Sequence, residues 1–161
     1  MARHAEFTVR ERILQQWQKN LSQLTTLNGD ILFESVHRAR VNPNSSAGRR
    51  FAGLIDMGEA AGVYEVGYIE NNMRVAVEIA VRMDVGDNPS KELNNCVGLI
   101  TREFLSKIET YEEGSGDALS LNIRSVSLEF DVDGDTDKLV MCVAIFEIIY
   151  RHHKQDPYDL R

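Results

Sequence analysis

Met73-Arg74-Val75-Ala76-Val77-Glu78-Ile79-Ala80-Val81-Arg82-Met83 is the stretch on which the fold turns. Every odd position is a large apolar residue and every even one is small or charged, the period of a strand with one buried face. Such a strand needs something to lie on it. Two helical patterns can do so. Upstream, Ile13, Leu14, Trp17, Leu21 and Leu24 recur at three- and four-residue steps, behind a capping box formed by Thr8 and Glu11. That spacing predicts a helix from Thr8 to Thr26, ended by Asn28-Gly29. Downstream, Asn88 as N-cap and Pro89 at the first helical position open a second helix, carried by Leu93, Val97, Ile100, Phe104 and Ile108.

The remaining segments read as strands. Asp30 to Val41 is strand-like with mixed alternation, and it enters a run of turn formers from Asn42 to Gly48. That content predicts a mobile loop over 42–50. Phe51 to Met57 and Val63 to Ile69 are short strands separated by Gly58-Glu59-Ala60-Ala61-Gly62, and Asn71-Asn72 is a hairpin turn. After the second helix come an acidic, flexible connection at 112–117 and two long strands, Ala118 to Val132 and Lys138 to Tyr150. Apolar phase slips between Ile123 and Val126, which predicts a bulge near Arg124-Ser125. The last strand is apolar on both faces and therefore central. A polar tail, 152–161, is loosely specified. The expectation is one α+β domain over residues 1–161, two helices packed on one face of a mostly antiparallel sheet, in the order α-β-β-β(-β)-α-β-β.

Length and composition agree with that. A chain of 161 residues that is 43% hydrophobic and 27% charged has the makings of one soluble core. Its longest apolar run, Leu139 to Phe146, is far short of the ~20 residues that span a bilayer, and no apolar leader follows Met1. Cys96 and Cys142 sit in apolar patterns as small hydrophobes, and no paired-cysteine spacing suggests zinc. Without an export signal, the sequons at Asn20 and Asn44 carry little weight, and cytoplasmic synthesis is expected.

No motif points to catalysis. Asp131-Val-Asp133-Gly-Asp135-Thr-Asp137 alternates carboxylates like a calcium loop, but Thr136 and Cys142 stand where an EF-hand needs glycine and glutamate. A polar hairpin loop is the better reading. His152-His153 point to opposite sides of an extended chain and have no third ligand nearby in sequence. Nucleophile elbows and phosphate loops are missing. The expectation is no enzyme, no cofactor and no metal.

Charge is uneven. Residues 1–80 carry 9 basic and 9 acidic side chains, whereas 81–161 carry 9 and 16, so the whole surplus of −7 lies in the second half. Residues 35–55 hold Arg38, Arg40, Arg49 and Arg50 and no acid; 109–137 hold nine acids against Arg124. A net acidic chain is poorly suited to gripping nucleic-acid phosphates. Unlike patches suit association between copies.

The layout resembles the tail terminator (tail-completion, minor tail) proteins of long-tailed bacteriophages. The matching features are the opening helix through Ile13, Trp17 and Leu21, the Val36-His37-Arg38 strand before a variable loop, and Phe51-Ala52-Gly53-Leu54-Ile55. The alternating strand 73–83, the second helix, and a closing Ile149-Tyr150-Arg151 followed by Asp156-Pro157-Tyr158 complete it. The resemblance implies a structural virion protein of the tail or neck. It would form a ring, hexameric in that family, that caps the tube, stops its polymerisation and meets the head-side connector. Partners would be further copies, the tube protein and a connector or stopper, with DNA passing through unbound. On that expectation Arg38, Arg40, Arg49 and Arg50 approach acids such as Glu112, Glu113 and Asp117 across an interface. Asp131, Asp133, Asp135 and Asp137 would face the channel. A head-completion stopper is the nearest alternative. A small-molecule-binding regulatory domain is a different class, and it would need a pocket with convergent polar groups.

Overall fold

The computed structural model describes residues 6–42, 48–64, 66–84, 86–106, 110–131 and 139–160, with the side chains of Ala61, Val63, Tyr64 and Asp131 left aside. In chain order the elements are α1 (Val9–Gln23), β1 (Ser35–His37), β2 (Arg50–Tyr64), β3 (Tyr68–Arg82), α2 (Pro89–Leu105), β4 (Asn122–Asp131) and β5 (Leu139–His153). One sheet, ordered β1-β2-β3-β5-β4, is antiparallel except for the β1–β2 pair. This is an α+β fold with β5 in the interior of the sheet, as its two apolar faces require.

Alternation places Met73, Val75, Val77, Ile79 and Val81 of β3 beside Val140, Cys142, Ala144, Phe146 and Ile148 of β5, all on one face. Both helices pack there. The Trp17 ring of α1 stacks on Phe104 of α2 at 3.9 Å and meets Phe146 edge-on at 5.4 Å, so three elements share one aromatic contact. The Trp17 indole N–H donates to Thr110 Oγ1 at 3.0 Å, which satisfies the one polar atom of that buried side chain.

Several local expectations change. Thr8 caps α1 by accepting from the Glu11 N–H, but the Glu11 carboxylate is held by Arg38. The helix ends at Gln23; Asn28-Gly29 forms the tip of a small turn, with Gly29 at φ +89° and Thr25 bridged to Ile31. Only Ser35–His37 of the Asp30 to Val41 stretch pairs as strand. β2 runs through Gly58 to Gly62 without ending, because two register shifts absorb the extra residues and Gly58 takes φ +102°. Asn71-Asn72 is not a turn. β3 extends through it to Tyr68, where Arg151 of β5 pairs with Glu70 at 2.8 Å, and the β2–β3 connection falls at 65–67. The bulge of β4 lies between Ser125 and Ser127, within one residue of its expected place. β5 continues to His153, and the tail folds back, with the Val9 N–H donating to the Pro157 carbonyl and the His153 N–H to that of Asp159.

Of the loop 42–50, residues 43–47 lie outside the described residues. Its ends are anchored. The Val41 N–H donates to buried Glu78 at 2.8 Å, and the Arg49 N–H donates to Glu34 at 2.9 Å. The 112–117 connection is likewise held, against α1.

Candidate functional site

Arg12, Gln16 and Lys19 stand at i, i+4 and i+7 on one side of α1, so they form a single polar stripe. That stripe receives the acidic connection. Arg12 grips Glu112 with two hydrogen bonds of 2.8 and 2.6 Å, Lys19 pairs with Glu113 at 2.6 Å, and Gln16 accepts from the Glu113 N–H. The Arg12 hydrogen bond is the main cause holding the Glu112 carboxyl below its usual range. Asp117 lies near Arg12, contributing to the raised basicity of that guanidinium after Glu112 itself.

The basic stretch is also engaged within the chain. Arg38 pairs with Glu11 at 3.0 Å, Arg49 with Asp87 at 2.9 Å and Arg50 with Glu92 at 3.3 Å. Arg40 is exposed and forms no ion pair among the described residues. The arginines of 35–55 therefore do not meet Glu112, Glu113 or Asp117 inside one subunit, and three of the four already have carboxylate partners. Asp133, Asp135 and Asp137 lie outside the described residues; Asp131 ends β4.

Sequence reasoning missed two surfaces. The first is the sheet face opposite the helices. Strand registers build it in rows: Ile55, Ala76, Ile145 and Ser127; then Arg74, Glu147 and Arg124; with Val143 and Ile149 alongside. Val143, Ile145 and Ile149 are half-buried there. Glu147 is only 6% exposed and is clamped from both sides, by Arg74 at 3.1 Å and by Arg124, whose own side chains are 57% and 61% exposed. Burial would raise the Glu147 carboxyl, but hydrogen bonds from Arg124, Arg74 and Asn72 outweigh it and hold it below its usual range. One carboxylate between two cations leaves a local positive excess on an apolar face.

The second surface is β4, the edge of the sheet beyond β5. It leaves Val126, Leu128 and Phe130 between 40% and 44% exposed. The strand order that makes β4 an edge is not readable from periodicity, since Leu128 and Phe130 alternate like any core strand.

Among the described residues no group of three metal-ligating side chains exists. Burial pushes the thiols up, Cys96 to about 11 and Cys142 to about 12, away from the thiolate form a nucleophile needs. A groove of about 570 Å³ lies between α2 and the turn after α1; its Arg50 and Glu92 neutralise each other. No described helix is long and apolar enough to cross a membrane.

The fold is similar to that of the sheath/tube terminator, in its extended state, of an extracellular contractile injection system (PVC) seen by cryo-EM. The TM-score is 0.40 at 5% identity, covering 91% of this chain and 58% of that one. The chain thus spans under three fifths of that protein's length. No family model matches the sequence, and no curated protein does.

Proposed function

We propose that the protein is a structural subunit of a phage-type tail, a terminator that assembles as a hexameric ring on the tube. The ring ends tube polymerisation and presents its far side to the head-side connector, and the subunit performs no turnover. The observation that carries this reading is the open sheet face. No helix covers the second sheet face, and beyond the 39–41 strap that crosses it at Gly53 this face holds half-buried Val143, Ile145 and Ile149 where a solvated face would be polar. Apolar surface rimmed by charge is what a subunit interface requires. The family resemblance of the sequence supports the same reading, and the acidic excess suits a passage through which DNA slides unbound.

Light scattering and negative-stain microscopy of the purified full chain, over a concentration series, test it. Closed rings of cyclic symmetry are expected. A species that stops at one or two copies at every concentration would overturn the ring.

A further inference from the structure

The β4 edge is self-complementary. Its bulge at Val126 puts Arg124 and Glu129 on the same sheet face although they are an odd number of residues apart: Arg124 is opposite Glu147 of β5, and Glu129 is opposite Val143. Ile123, Leu128 and Phe130 consequently share the helix face, opposite Ile148, Ala144 and Cys142. We propose that two copies of this chain pair through β4, antiparallel about a two-fold axis between Val126 and Ser127, extending one sheet across both subunits. In that register Arg124 stands opposite Glu129 of the second copy, and Ile123 opposite its Phe130. Both sheet faces match at residues 122–125 and 128–131, on either side of the axis.

Three observations select a second copy as the occupant. Opposite charges meet twice, once on each side of the axis, and cross-strand pairs of this kind favour one register over its neighbours. The clamp on Glu147 holds two arginines for one carboxylate, and Glu129, which forms no ion pair among the described residues, would bring a second carboxylate to Arg124. The bulge twists the edge and so disfavours a flat foreign strand. A copy of the same strand carries the same bulge to the same point of the axis. The contact is isologous and closes at two, so it belongs to the free chain and lies apart from any ring interface.

Sedimentation equilibrium of the full chain tests this. The parent is expected to pass from monomer to dimer at concentrations below those at which rings assemble, with the affinity of that step falling as salt rises. Glu129→Arg keeps the Glu147 clamp intact but faces Arg124 with a like charge; its dissociation constant should rise at least about tenfold, and its residual pairing should strengthen with salt. Arg124→Glu should behave alike. Mixed in equal amounts, the two variants should pair again, because every contact in the mixed dimer joins a glutamate to an arginine. A monomer at all concentrations, mass growing without limit, or a Glu129→Arg protein that dimerises like the parent at low salt would each overturn the pairing. If Arg124→Glu does not fold, the opposed salt responses of parent and Glu129→Arg still decide. A dimer without rings would sustain this inference and sink the ring; rings built from a monomeric free chain would do the reverse.

Discussion

Glu112 and Glu147 show what a carboxylate does when arginine meets it in two settings. Glu112 sits in a partly exposed, two-pronged pair that fastens the 110–117 segment to α1, whereas Glu147 is buried in the sheet between two guanidinium groups. Both are held below the usual carboxylate range, so each favours the fold at a pH above the unfolded value of about 4.3. That contribution fades as pH falls through the lowered folded value. Stability should therefore drop on acidification below about pH 4.5. Glu112→Gln should lose about 1 kcal/mol at pH 7 by urea unfolding, and the gap between parent and variant should narrow at pH 3, where Glu112 of the parent is protonated in the unfolded chain and increasingly so in the folded one. A deficit of the same size at both pH values would mean the charge of Glu112 does not matter.

Among the elements, β2 depends on a missing side chain. A Cβ on Gly53 would stand 2.2 Å from the Ala39 carbonyl oxygen and 3.2 Å from the Val41 nitrogen. The chain between β1 and β2 crosses the sheet at that point, on the face away from the helices, and Glu78 fastens it by accepting from the Val41 N–H. Gly53→Ala should push the crossing strap off the sheet and cost about 1–3 kcal/mol in urea unfolding, with faster amide exchange at Val41. Unchanged exchange there would mean the strap adjusts freely. None of this was legible beforehand, because a parallel β1–β2 pair needs a crossover whose path periodicity does not describe. Strict alternation in 73–83, the Asn88-Pro89 start and the double apolar face of β5 were legible, since each is a local pattern imposed by burial. The Asn71-Asn72 pair misled for the same reason: its local polarity reads as a turn, while long-range pairing with Ile149 and Tyr150 keeps it in β3. Charge misled in a related way. The run 35–55 lacks acids in sequence, yet Glu11, Asp87 and Glu92 reach its arginines from elsewhere in the chain.

At the scale of the whole molecule, those internal pairs move the association energy away from the basic stretch. Reversing Arg49 and Arg50 would first set two acids against Asp87 and Glu92 of the same chain, so it cannot report on a neighbour. Exposed ion pairs contribute only about 0–1 kcal/mol each, so a ring must draw mainly on apolar area, and the sheet face opposite the helices offers it. A closed ring needs two unlike patches per subunit, and a two-fold β4 contact cannot provide them. Ile145 is central to the open face, between Ala76 of β3 and Ser127 of β4, and it is half-buried. A lysine there can lay its stem on the sheet and keep its ammonium in water, so the isolated subunit should tolerate it. Ile145→Lys should lower Tm by no more than a few degrees, as a loss of about 1 kcal/mol does in a chain of this size. Rings should vanish from negative-stain fields, because seating that surface on a neighbour now desolvates a cation beside the Arg74 and Arg124 guanidiniums. Pairing through β4 should persist in sedimentation, since Ile145 is on the strand next to the edge and not on the edge itself. Rings that form normally in Ile145→Lys would place the assembly surface elsewhere on the molecule.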